Sequence, residues 1–319
     1  MSIYVAVATI GDNQFPLTIE DIFEKADNPQ DIFVGAAHMV TEDIYLDHVD
    51  RCKKYLNVKH KRFDPAENVG VGKGRGNAYS FYNEEDYVLQ IDSHTKFEKG
   101  WDTILINTLE EAKKEIGIQK VVLTSYLPRY IHRNGQDRET LGPAKALYSF
   151  LNDKKRPSRK TIWACDNISL LEMEFNPKFL QKGSNKRKFL PATKVCGGFI
   201  FGERDFAKNT CLPEECLFWP EEIIQSINLL HYEFAMVFPN INMPLRHLYA
   251  EDLEDGPANR VVQILEYYDL SGKDEDDFYL RWTNDPENQE RIEKYARYAN
   301  FHPVNGSIKP LTIPSSYTV

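Results

Sequence analysis

Leu89-Gln90-Ile91-Asp92-Ser93-His94 is the stretch on which the reading of this chain turns. Tyr87 to Ile91 (YVLQI) is a short apolar run of the kind that fills a buried strand, and it breaks off into the polar Asp-Ser-His. In open α/β sheets, ligands bind beyond the carboxyl ends of the strands, so this triplet is expected at the mouth of a crevice. Residues i and i+2 of extended chain project to one side, which lets Asp92 and His94 grip a single ion. A carboxylate with an imidazole suits a borderline divalent cation such as Mn²⁺, with Mg²⁺ as the harder alternative. Taken alone, the triplet fits a capped turn after a strand better than a metal site.

Outward from this strand the pattern alternates. Residues 3–8 form a β-rich apolar run, and Thr18 is placed to cap a helix whose apolar positions Ile19, Ile22, Phe23 and Ala26 fall at helical spacing. Residues 31–37 (DIFVGAA) supply a second strand, residues 101–116 carry helical periodicity, and residues 120–126 return as strand. Strands alternating with helices predict an α/β fold with a mostly parallel central sheet. Residues 134–160 suit a long loop with a short helix. The acidic segment 251–256 reads as a boundary, dividing a main domain (1–250) from a small C-terminal helical appendage (251–319) with helices over 258–268 and 286–298. No repeat or low-complexity tract interrupts the chain.

Composition limits the function classes. In 319 residues, 42% are hydrophobic and 27% charged, which is ordinary for a folded globular chain and excludes extensive disorder. The N-terminus MSIYVAVATI has no basic leader and no segment reaches membrane-helix length, so a soluble chain with no membrane partner is expected. The five cysteines (52, 165, 196, 211 and 216) have no zinc-type or CxxC spacing and are expected as reduced thiols in a cytoplasm, the host's if the chain is viral. Lys+Arg 39 against Asp+Glu 48 gives a net charge of −9, which argues against bulk nucleic-acid binding. Two local basic clusters (Lys154, Lys155, Arg156, Arg159, Lys160; Lys182, Lys186, Arg187, Lys188) are either solvated loops or phosphate contacts.

Three further segments follow in order: Cys196-Gly197-Gly198-Phe199-Ile200-Phe201-Gly202, Phe218-Trp219-Pro220-Glu221-Glu222-Ile223, and Met243-Pro244-Leu245-Arg246-His247-Leu248-Tyr249. With LQIDSH continuing through Phe97 to Trp101-Asp102, the set resembles GT-A glycosyltransferases, with their Rossmann-like nucleotide-sugar-binding fold. The nearer likeness is to the cytoplasmic N-acetylglucosaminyltransferases that modify hydroxyproline. A more distant likeness is to the polypeptide N-acetylgalactosaminyltransferases. The resemblance covers roughly residues 3 to 250.

What this resemblance implies is specific. Asp92, His94 and His247 would be metal ligands, His247 arriving from a distant loop; a packing histidine is its plain alternative. Thr9, Asp12, Arg75, Asp92, Gly198 and Trp219 would line the UDP-sugar site: Thr9 and Asp12 by uracil or ribose, Arg75 clamping the donor or the loop around it, Gly198 letting backbone approach closely, Trp219 stacking on sugar or acceptor. Glu222 would act near the sugar, whereas Glu221 reads as favourable charge at a helix start. The cation would neutralise the diphosphate leaving group. Retention of anomeric configuration is implied, with the departing phosphate taking the acceptor proton. An inverting enzyme would need a base, for which Glu222 is the first candidate. The donor sugar is GlcNAc-like or another hexose or pentose. The acceptor is a macromolecular hydroxyl, either a protein side chain or hydroxymethylated bases of viral DNA. A non-catalytic sugar-nucleotide-binding module is the third reading. Gly11 and Pro220 depart from the families' usual arginine and glycine.

Overall fold

The computed structural model describes residues 1–64, 70–133, 136–139, 145–147, 167–169, 188–209, 212–218, 220–249, 272–299, 302–303 and 317. Eight strands form the main sheet: β1 (Ile3–Thr9), β2 (Ile32–Met39), β3 (Val58–Phe63), β4 (Tyr87–Asp92), β6 (Val121–Thr124), β11 (Phe189–Pro191), β12 (Phe199–Glu203) and β13 (Ala235–Pro239). Their order is β11-β13-β6-β12-β4-β1-β2-β3. The half from β4 to β3 is parallel throughout. Beyond β4 the sheet is mixed: β13 and β6 are parallel, but β12 runs antiparallel to both β4 and β6, and β11 antiparallel to β13. Four of the seven strand pairings are parallel, as expected of a mostly parallel sheet, and the three antiparallel ones all involve β11 or β12.

A second, four-stranded sheet has the order β5 (Thr95–Phe97), β14 (Leu245–Leu248), β7 (Arg129–Arg133), β8 (Gln136–Glu139). A short antiparallel pair joins β9 (Lys145–Leu147) to β10 (Asn167–Ser169).

The main sheet is buried on both faces because its strands alternate apolar side chains onto two layers. Ile3, Val5 and Val7 pack with Ile19 and Ile22 of helix α1 (Phe15–Glu24) and with Trp101, Leu105 and Leu109 of α4 (Trp101–Ile116). Tyr4, Ala6, Val88 and Ile200 face the other way. They meet Ala78 of α3 (Val71–Tyr79) and Ile223 and Ile227 of α6 (Glu221–His231). Each Val, Leu and Ile side chain among them contributes about 1.5–3 kcal/mol by leaving water. Helix α2 (Glu42–Cys52) flanks α1, and the short α5 (Asp205–Asn209) follows β12.

Helix α1 starts earlier than its sequence suggests. Pro16 suits the first turn, where its missing N–H goes unneeded, and Asp12 Oδ1 accepts the Gln14 N–H at 2.9 Å. Thr18 is consequently inside the helix, not its cap. Its buried hydroxyl donates to the Ser93 carbonyl at 2.8 Å and accepts the Thr95 N–H at 3.1 Å, tying α1 to the end of β4.

At the C-terminal side, α7 (Gly272–Asn284) leads into α8 (Pro286–Ala299), which agrees with the expected helix over 286–298. The α8 face seats on the main body through Tyr295 Oη to the Thr193 carbonyl (2.9 Å), Tyr298 Oη to the Ala192 carbonyl (3.0 Å) and Arg291 Nη1 to Asn228 Oδ1 (3.0 Å). The expected helix over 258–268 and most of the stretch 134–160 lie outside the described residues.

Candidate active site

The site forms where four elements end together. Parallel pairing sets Ala8 of β1 beside Asp92 at the end of β4. Antiparallel pairing of β12 places Phe199 opposite Ile91, so the preceding Gly198 meets Asp92. In the second sheet, β14 sets His247 opposite Thr95 of β5, and the Leu248 N–H donates to the His94 carbonyl at 3.2 Å. A residue more than 150 positions from Asp92 is thus delivered by strand pairing. Among the described residues, Asp92, His94 and His247 form the one group of potential ligands of this kind, with one donor atom from each within 4.8 Å of the others.

Asp92 divides its carboxylate. Arg75 Nη2 lies 2.7 Å from Oδ1, and His247 Nε2 lies 3.1 Å from Oδ2. Burial pushes this carboxyl up, but the Arg75 guanidinium, the His247 hydrogen bond and the charges of both histidines outweigh it and hold Asp92 well below the usual carboxylate range. For His94, burial opposes the charged ring while the hydrogen bond and charge of Asp12 favour it, and the net direction is upward. For His247, burial prevails over Asp92 and the direction is downward.

The donor set fits a small divalent cation. Adjacent ligands on an ion with bonds of about 2.1 Å stand about 3 Å apart, and His247 Nε2 and Asp92 Oδ2 are 3.1 Å apart. His94 commits Nδ1 to Asp12 Oδ2 at 2.6 Å, which leaves Nε2 for an ion. The cradle depends on glycine: a Cβ at Gly198 would come within 2.7 Å of Asp92 Oδ2 and 3.6 Å of His247 Cδ2.

Arg75 is a buried hub. Besides Asp92 it donates from Nε to Glu221 Oε1 (3.0 Å), from Nη1 to the Ile91 carbonyl (2.7 Å) and from Nη2 to the Gly197 carbonyl (2.9 Å). The two glutamates opening α6 differ in kind. Glu221 is buried against Arg75, and desolvation prevails over that partner to push its carboxyl up to about 7. Glu222 is more open: Oε1 accepts the Gly197 N–H at 3.1 Å and Oε2 pairs with Lys194 Nζ at 2.5 Å.

Thr9 and Asp12 sit where the sequence places them, at the end of β1, but turned inward. Thr9 Oγ1 accepts the Asp12 N–H at 3.3 Å, and both residues are buried. Trp219 and the basic clusters, apart from Lys188, lie outside the described residues. Lys194 escaped sequence reasoning, as did the Tyr126–Tyr249 pair that stacks at 6.1 Å with Tyr249 against the His247 ring at 4.4 Å. The terminal Tyr249 of the third motif was the one available signal. Cys52 and Cys196 are free thiols, and no helix among the described residues is long and apolar enough to cross a membrane.

The mixed α/β sheet with its flanking helices is similar to the GT-A fold of solved glycosyltransferases. The family model described as "Glycosyltransferase (GlcNAc)" matches residues 41–253, and the chain belongs to that family. No curated protein matches it. Among solved structures, GalNAc-T7 with UDP, GalNAc and Mn²⁺ is similar over 94% of this chain and 55% of its own, at 13% identity and a TM-score of 0.55. The chain therefore spans about half the length of that protein, and the likeness is one of fold. S. aureus TarS 1-349 in complex with UDP matches over 97% of this chain and 76% of its own, at 16% identity and a TM-score of 0.47.

Proposed function

We propose that this glycosyltransferase moves a GlcNAc-like sugar from a UDP-sugar to a hydroxyl of a protein side chain, with retention at the anomeric carbon and in dependence on Mn²⁺ or Mg²⁺. The observation that carries the reading is the convergence of Asp92, His94 and His247 beside a glycine that keeps one Asp92 oxygen uncovered. Membership in the GlcNAc glycosyltransferase family supports the donor class. GalNAc-T7, of similar fold, holds UDP and Mn²⁺.

A bound divalent cation would supply charge stabilisation at the departing diphosphate. Every other contribution comes from the chain. Asp92 presents Oδ2 while Arg75 fixes Oδ1, so the carboxylate needs little reorganisation when the donor arrives. Gly197 and Gly198 allow the donor to lie close to the backbone. Glu222, held by the Gly197 N–H and Lys194, accepts hydrogen bonds from sugar or acceptor hydroxyls. Retention needs no dedicated protein base, because the leaving phosphate oxygen takes the acceptor proton. The transferase unit comprises residues 1–250, and residues 251–319 are an extension seated on it through α8.

Transfer from labelled UDP-GlcNAc to a hydroxyproline peptide and, separately, to hydroxymethylated DNA tests the acceptor. Label on the peptide with an α-linked product is expected. Label on DNA alone, at low salt and lost at high salt, would overturn the protein acceptor, and a β-linked product would overturn retention.

A further inference from the structure

Gly11 stands where the families resembled carry arginine, and the structure gives that departure a consequence. Its φ of +65° lies in the left-handed region that glycine enters without strain, and the turn it makes sends Asp12 back beneath the end of β4. There Asp12 meets protein donors on both carboxylate oxygens. Oδ1 accepts the Gln14 N–H at 2.9 Å, and Oδ2 accepts the Ser93 hydroxyl at 3.0 Å and faces His94 Nδ1 at 2.6 Å. Its own N–H is held by Thr9 Oγ1, and its side chain is only 8% exposed. A carboxylate so enclosed has little to offer a ribose.

We infer that Asp12 is a positioning residue for His94: it accepts the Nδ1 proton, fixes the ring in one tautomer and one orientation, and thereby aims Nε2 at the cation. This rests on the metal-dependent reading given above. Metal-ligating histidines generally donate their second nitrogen to a carboxylate or carbonyl, which sets the tautomer and raises the basicity of the ligating nitrogen. Here the partners that hold Asp12 all come from the chain itself. Thr9 and Gly11 set the backbone of Asp12, Gln14 and Ser93 hold its oxygens, and Thr18 anchors the Ser93 carbonyl from α1. Ser93, which lies between the two ligands of the triplet, thus steadies the group behind one of them.

The test combines two measurements on the full chain. Long-range ¹H–¹⁵N NMR of the metal-free wild type at alkaline pH reads the neutral tautomer of His94. Protonation at Nδ1 is expected, and protonation at Nε2 would overturn the inference without any variant being needed. Mn²⁺ affinity, from the EPR signal of free Mn²⁺, is then compared among wild type, Asp12→Ala and Asp12→Asn, alongside UDP affinity in EDTA. Mn²⁺ affinity should fall by about 10–100-fold in Asp12→Ala and by less in Asp12→Asn, which keeps an acceptor without the charge. UDP affinity in EDTA should stay within about twofold of wild type. Unchanged Mn²⁺ affinity in both variants would overturn the inference, and a selective loss of UDP affinity would make Asp12 a nucleotide contact instead. If the wild type binds no Mn²⁺, the metal-dependent reading itself fails, whereas the tautomer still reports separately on Asp12 and His94.

Discussion

Arg75 and Asp92 meet through one guanidinium nitrogen and one carboxylate oxygen, Nη2 to Oδ1 at 2.7 Å, and this contact decides which side of Asp92 faces the crevice. The same guanidinium spans Glu221 and the carbonyls of Ile91 and Gly197. The ammonium of a lysine is a single point and cannot bridge four acceptors in different directions. Arg75→Lys is therefore expected to lose about 3–5 kcal/mol of unfolding free energy in urea titration, the range for breaking a buried charge network. A loss below about 1 kcal/mol would show that the hub is dispensable.

Gly198→Ala addresses the open oxygen. The added methyl would stand 2.7 Å from Asp92 Oδ2, so either the carboxylate or the strand end must shift. A fall in Mn²⁺ affinity of about tenfold or more is expected, with the circular dichroism spectrum unchanged. Wild-type affinity in a folded variant would contradict the cradle.

Glu222→Gln separates sugar handling from metal handling. The amide oxygen can still accept the Gly197 N–H, but the charge facing Lys194 is gone. Hydrogen bonds to charged groups contribute about 1.5–3 kcal/mol, so kcat/KM should drop by about 10–100-fold while Mn²⁺ affinity stays put. Equal loss of both would move Glu222 into the metal site.

A cluster of three histidines beside Phe15 carries a pH prediction for stability. His38 Nε2 lies 3.0 Å from His60 Nδ1, and His48 Nδ1 lies 3.4 Å from His38 Nδ1. Burial, with His60 and His48 adding to it, pushes His38 down to about 2; burial with His48 pushes His60 down to about 4. An unfolded histidine titrates near 6.5, so below that pH the unfolded chain binds more protons than the folded one. The stabilisation is complete above about pH 6.5 and is lost as pH falls, toward about 4 for His60 and on toward about 2 for His38. Urea midpoints should decline over that window, and His38→Asn should flatten the decline. An identical slope in the variant would exclude the cluster.

Much of this was legible locally. The strand at 87–91, the helix at 101–116 and the polar triplet each carry their own periodicity, and His247 stood out through the motif around it. Pairing between distant strands was not legible. Nothing in the sequence of β12 says that it inserts antiparallel between β4 and β6, yet that insertion delivers Gly198 to Asp92. Glu221 reads as helix-start charge until Arg75 arrives from 146 residues away. Part of the LQIDSH…WD string proves to serve the fold: Asp102 accepts the N–H groups of Asp27 and Asn28 at 2.8 and 2.9 Å, and Trp101 Nε1 donates to the Ile22 carbonyl at 3.0 Å. Thr18 misled because a buried hydroxyl with tertiary partners looks, in sequence, like a cap.

If Asp92, His94 and His247 form a catalytic metal centre, UDP release from a panel of UDP-sugars will depend on it. Wild type should release UDP with Mn²⁺ present and stop on chelation with EDTA, and Asp92→Ala should be silent under both conditions. Undiminished release by Asp92→Ala, or wild-type turnover that ignores EDTA, would contradict the account.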